Sequence, residues 1–196
     1  TLGAAVYENR VALFDLKIGQ KLSEFTTGQP DAYLRAMAFS PTGTFLIAGD
    51  DNADVYIWDI RKPKRAILSA AHPPLHGDSP VYQACFSPNG SLLAFTGYQN
   101  IYIYNLEKRE LRNFPLMGAH RICFDKTNTL LSVACNQDSY NKIHLFDVQK
   151  GVQIVSSPYL PPTILWAIQF THDGNLITVH EKHERLNACY RLLFQI

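Results

Sequence analysis

The sequence predicts an all-β chain built from repeated four-stranded units. Three observations carry this. A Phe that closes an apolar run and opens a turn recurs as MAFSPTG at Phe39, ACFSPNG at Phe86, ICFDKTN at Phe124 and IQFTHDG at Phe170, at gaps of 47, 38 and 46 residues. An aromatic residue followed by Asp or Asn recurs at Asp15, Asp59, Asn105 and Asp147, at gaps of 44, 46 and 42. Short strand signals separated by turn residues fill the intervals, with no helical period.

The second unit justifies its elements in order. LRAMAF reads as a strand, and SPTG turns the chain, with Pro41 presetting φ and Gly43 accepting a positive one. TFLIAGD is the next strand, a polar DDNA loop follows, and DVYIWDI is the third. RKPK is a turn in which Pro63 has no N–H for a ladder, and RAILSA is the fourth strand. The third unit repeats the series as VYQACF, SPNG, SLLAFTG, NIYIYNL, EKRE and LRNFPL. A unit of about 44 residues cannot bury both faces of its sheet alone, and stacking unit on unit does so.

Bulk numbers set limits. The chain has 196 residues, 46% of them hydrophobic, enough for a sizeable core. A net charge of +1 gives no whole-chain case for nucleic acid. Cys85, Cys123, Cys135 and Cys189 form no CxxC pair, and Cys85 and Cys123 lie in apolar runs. They read as reduced thiols packed as small hydrophobes, which favours the cytosol or nucleus. No apolar run of about 18 residues suggests a membrane span, and no signal-peptide pattern is present.

No catalytic, cofactor or metal site is expected. The histidines are His72, His76, His120, His144, His172, His180 and His183. HEKH at 180–183 has its histidines three apart, whereas metalloprotease chemistry needs HExxH on a helix. No serine sits in a GxSxG elbow, and GDDNAD lacks the Lys-Ser/Thr of a phosphate loop.

On Trp58-Asp59, Phe14-Asp15, Phe146-Asp147, FSPTG and FSPNG, the chain resembles the WD-repeat β-propellers. The resemblance implies blades at about 1–27 (partial), 33–70, 80–116, 118–157 and 163–196 (partial) of one propeller domain. Such propellers usually close with seven blades. Further blades are therefore expected from chain beyond these residues or from a partner, with a closed five-blade ring as the alternative. The family's buried His-Ser-Asp-Trp network is mostly missing. Its turn Asp falls on Asn52 in the second unit and on Tyr98 in the third, and the fourth unit has a longer loop, NQDSYNK. Apolar packing and ladder bonds are expected to hold the blades instead.

The resemblance also implies a role: a non-catalytic scaffold within a multiprotein assembly, binding through the propeller rims. Top-rim positions are the fourth and sixth before each anchor Phe. They give Tyr33 and Arg35, Pro80 and Tyr82, Gly118 and His120, and Ile164 and Trp166. Tyr33, Arg35, Tyr82, His120 and Trp166 are the expected partner contacts. The opposite rim carries basic hairpins, with Arg61, Lys62, Lys64, Arg65, Lys108 and Arg109 foremost, beside Lys17, Lys21, Arg112 and Lys150. These support an alternative, an RNA-contacting subunit of a ribonucleoprotein. Few aromatics interleave with them, so base stacking is poorly supported. AAHPPLHGDSP and SPYLPPT read as stiff connectors between blades.

Overall fold

A computed structural model describes residues 1–62, 66–69, 80–97, 99–137, 140–160, 164–182 and 185–192. At 66–69, 137, 164, 166, 179–182 and 185–192 only the backbone is described. The chain divides into two compact units, Thr1–Ala84 and Cys85–Ile196.

The first unit opens with an antiparallel three-stranded sheet, β1 (Leu2–Tyr7), β2 (Arg10–Asp15) and β3 (Gln20–Thr26). A four-stranded sheet follows in chain order, β4 (Leu34–Phe39), β5 (Phe45–Asp50), β6 (Val55–Asp59) and β7 (Ala66–Ser69). In β6 every residue is buried, so DVYIWD shows apolar residues on both faces rather than strict alternation. One face, Leu46, Ala48, Tyr56 and Trp58, packs with Val11, Leu13 and Phe25 of the preceding sheet. The Trp58 ring stacks on Tyr56 at 5.8 Å and meets Phe25 at 5.7 Å. Burial of these large aromatics is what joins the two sheets.

Three sheets follow. The first is β8 (Ala84–Phe86), β9 (Leu92–Thr96), β10 (Asn100–Asn105) and β11 (Glu110–Pro115). The next is β12 (Ala119–Phe124), β13 (Leu130–Gln137), β14 (Tyr140–Asp147) and β15 (Val152–Ser156). The last is β16 (Ile164–Phe170), β17 (Leu176–Lys182) and β18 (Arg185–Leu192). Within the second unit, Ile101, Ile103 and Phe114 pack against Ile122, Val133 and Phe146. Ala134 and Ile143 pack against Leu165, Ile168 and Leu176. Three whole blades and two partial ones are thus present among the described residues, as the repeat anchors predict.

Both anchors are turn-building devices. The residue after each Phe folds the turn between the first two strands of a blade. Ser40 Oγ accepts from Phe45 N at 2.9 Å, Ser87 Oγ from Leu92 N at 2.9 Å, Asp125 Oδ1 from Leu130 N at 2.7 Å, and Thr171 Oγ1 from Asn175 N at 3.0 Å. Gly43, Gly90, Asn128 and Gly174 supply the positive φ that each of these turns needs. The Asp or Asn after the aromatic folds the hairpin after the third strand. Asp15 Oδ1 accepts from Lys17 N at 2.8 Å, and Asp59 Oδ1 from Arg61 N at 3.0 Å. Asn105 Oδ1 accepts from Lys108 N, and Asp147 Oδ1 from Lys150 N, each at 2.8 Å.

The structure corrects three expectations. The VYQACF strand shrinks to Ala84–Phe86, because Val81 N donates to Asp50 O at 2.8 Å and the Val81 side chain fills the space over Gly49. NQDSYNK is mostly ladder: Asn136 pairs with Asn141 and Gln137 with Tyr140, while Asp138 and Ser139 lie outside the described residues. Apolar packing is not alone in holding the second blade. Asp50, wholly buried, accepts from Asn52 N at 3.0 Å, Asp54 N at 2.8 Å and Tyr56 Oη at 3.1 Å. Asn52, where the acid was sought, is a donor to that acid.

Candidate functional site

Three of the expected top-rim residues gather around one acidic pair in the first unit. The β4–β5 register skips Arg35 between Leu34 and Ala36, so Arg35 is the extra residue of a β-bulge. Asp51 follows β5 and holds the approach to the bulge. Its N donates to Tyr33 O and its Oδ1 accepts from Tyr33 N, both at 3.1 Å. Its Oδ2 lies 3.9 Å from the Arg35 guanidinium, whose side chain is 54% exposed. The bond from Val81 N to Asp50 O brings the next residue, Tyr82, to the same end of β5. Tyr33 and Tyr82 are both exposed. The arrangement offers a steered guanidinium and two wet phenols on a backbone that is already ordered. Asp51 was missed in the sequence, where its only signal is its place in GDD after a strand.

His120 is likewise the residue skipped in the β12–β13 ladder, between Ala119 and Arg121. It is half-buried, its Nδ1 lies 3.3 Å from Gly118 O, and its carbonyl accepts from Arg121 Nη1 at 2.8 Å. Burial pushes its pKa below the ordinary imidazole value. The β16–β17 ladder skips Trp166 between Leu165 and Ala167, and the Trp166 side chain lies outside the described residues.

The basic hairpins are less free than their composition suggests. Arg61 is bidentate to Asp59, Nε to Oδ1 and Nη2 to Oδ2, both at 2.9 Å. That pair holds the Asp59 carboxyl down at about 2. Lys21 is paired with Glu24, and Lys150 lies 3.4 Å from Asp147. Arg112 donates to Gln149 O at 3.3 Å. Lys62, Lys108 and Arg109 are exposed, and Arg109 takes a positive φ of 58° where the sister hairpins have Gly19 and Gly151. Lys64 and Arg65 lie outside the described residues.

The second unit also holds a cleft of about 430 Å³ among the β8–β9, β10–β11, β12–β13 and β14–β15 turns, with Asn, Lys, Arg or Glu at half of its lining positions.

Catalytic candidates find no constellation among the described residues. His144 is buried, and its Nδ1 lies 2.9 Å from both Gln153 Oε1 and Ser156 Oγ. Burial lowers its pKa as well. Burial raises the Cys85 thiol to about 12 and the Cys135 thiol to about 11, so neither is a ready thiolate. No group of three or more His, Cys, Asp or Glu among the described residues is placed to hold a metal. His72, His76, His183 and the side chains of His180 and Cys189 lie outside the described residues. No helix among the described residues is long and apolar enough to cross a membrane.

Comparison with known proteins agrees with this geometry. The WD domain, G-beta repeat family (WD40) matches residues 19–59 and 70–105. Among solved structures, the chain is similar to Kuenenia stuttgartiensis hydrazine synthase, at a TM-score of 0.73 and 16% identity. The match covers 88% of this chain and 49% of that one, so the chain spans about half that protein's length. At this identity the likeness shows the fold alone. The sheets, their turn chemistry and the matched repeats together make this an all-β, propeller-type chain that carries WD40 repeats at two segments. WD40 repeats generally mediate protein–protein interaction and are typically non-catalytic.

Proposed function

We propose that this chain is a non-catalytic scaffold, a subunit of a cytosolic or nuclear multiprotein assembly. One observation carries the reading: Tyr33, Arg35 and Tyr82 are exposed around a backbone clamped by Asp51. Tyr and Arg are the side chains that most often anchor interfaces, and their supports here are already ordered, so little entropy is lost on docking. His120 and Trp166 occupy the equivalent bulge positions of their own strands and belong to the same reading.

A second reading, contact with RNA, rests on Lys62, Lys108 and Arg109, which are exposed and in no close ion pair among the described residues, although Lys62 still feels the Asp59 charge. The pairing of Arg61, Lys21 and Lys150 with acids of their own hairpins weighs against it.

The test is affinity purification of the full-length parent protein, with and without nuclease. The scaffold reading expects protein partners that survive nuclease and are lost with Arg35→Ala plus Tyr82→Ala, while thermal unfolding stays unchanged. Partners that vanish with nuclease and with Lys108→Glu, but persist in the Arg35 variant, would replace it with the ribonucleoprotein reading.

A further inference from the structure

The cleft of the second unit is built as a donor-rich pocket. Its apolar lining is Leu92, Ile103 and Val148, all part of or packed on the core between these two sheets. Its walls are tied to each other before any ligand arrives. Asn89 N donates to Asn128 Oδ1 at 2.9 Å on one side, and Arg112 Nη1 to Gln149 O at 3.3 Å on another.

The orientation of its three asparagines follows from the turns they build. Asn89 Oδ1 accepts from Ser91 N at 3.0 Å, Asn105 Oδ1 from Glu107 N and Lys108 N, and Asn128 Oδ1 from Asn89 N. Each oxygen is committed to backbone N–H groups, so each amide nitrogen is the free end, a pure donor. Among the described residues, none of these three Nδ2 groups has a partner, nor has Lys108 Nζ. Arg112 keeps further N–H groups beyond its one bond. The single carboxylate in the lining, Glu110, sits opposite Asn105 in the hairpin register.

We propose that this cleft binds an oxyanion group, a carboxylate or a phosphate, on a small or peptidic ligand. Three amide donors, an ammonium and a guanidinium complement the acceptor-only oxygens of such a group. The volume lies in the range of small-ligand sites. The site does not depend on the scaffold reading and shares no residue with it.

Side-chain amide signals in ¹⁵N–¹H spectra read the site directly. Inorganic phosphate and a tetraglutamate peptide are titrated separately at constant ionic strength. The expected result is saturable shifts of the Asn89, Asn105 and Asn128 amides; tighter binding of phosphate marks a phosphate ester as the ligand, tighter binding of the peptide a carboxylate. Asn105→Asp keeps the turn bracket that Asp15, Asp59 and Asp147 provide elsewhere, but exchanges a donor for a negative charge. It should weaken binding by about tenfold or more with the melting temperature unchanged. Glu110→Gln should tighten binding severalfold. Linear shifts that are the same in both variants would overturn the site. Saturation by a single-stranded RNA oligomer alone would overturn it in favour of nucleic acid.

Discussion

Tyr56 donates its hydroxyl hydrogen to Asp50 at 3.1 Å, in a place where the two residues are 1% and 0% exposed. The same carboxylate caps the N–H groups of Asn52 and Asp54, so one acid ties the β5–β6 turn to the β6 strand. Burial raises the pKa of both groups. The acid's bonds are what make its burial tolerable. Asp50→Ala leaves two part-buried backbone donors and a buried phenol without their acceptor and should cost about 3 kcal/mol. Asp50→Asn keeps an acceptor and should cost less than Asp50→Ala. Tyr56→Phe removes one donor only, at about 1 kcal/mol. Urea denaturation of the three variants checks the ranking, and equal losses for Ala and Asn would show that the bracket is not what Asp50 supplies.

Acid should loosen the first unit through Asp59 and Glu24. Both carboxyls are held at about 2, Asp59 by Arg61, and Glu24 by Lys21, Tyr7 and Arg10. In the unfolded chain such groups titrate near ~4. Because the folded values are the lower ones, their contribution is present above about pH 4 and is lost as pH falls from there toward 2. All these partners are exposed to solvent screening, so the effect should also shrink with salt. Asp50 works in the opposite sense: its folded value is raised, so its protonation at low pH favours the fold. Asp59→Asn with Glu24→Gln should flatten the fall in stability between pH 4 and 2. An unchanged acid limb would mean that other carboxylates govern it.

The anchors at Phe39, Phe86, Phe124 and Phe170 were legible because spacing alone reveals them, and the turns they announce depend on the next residue in the chain. Asp15, Asp59, Asn105 and Asp147 were legible for the same reason: an Asx bracket reaches only two or three residues ahead. The bulge positions of Arg35, His120 and Trp166 follow from their fixed offset to the Phe. Partners set by the ladder were not legible. Asp51 meets Arg35 only once β4 and β5 are in register, and Asp50 meets Tyr56 only across the next hairpin. The donor cleft was hidden for a further reason: which end of an asparagine faces outward is decided by hydrogen bonds, not by composition.

Gly49 tests how tightly the chain after the second blade is seated. The Val81 side chain lies directly over it, and an added Cβ at Gly49 would stand 2.5 Å from both Val81 Cβ and Cγ1. Val81 has no exposure and its N–H is bound to Asp50 O at 2.8 Å, so it cannot step aside without breaking that bond. Gly49→Ala should therefore cost about 1–3 kcal/mol by overpacking, although alanine suits a strand's backbone no worse than glycine. The clash is with both the first and the second carbon of the side chain, so Val81→Ala in the same protein should recover part of the loss attributable to it and Val81→Gly more. Tyr82 is the next residue, so displacement of Val81 should also weaken any partner held by Tyr33, Arg35 and Tyr82. A double-mutant cycle on chemical denaturation measures the coupling. Coupling that is larger to Val81→Gly than to Val81→Ala is the expected signature, and coupling to neither would mean that the segment is not held against β5 in solution.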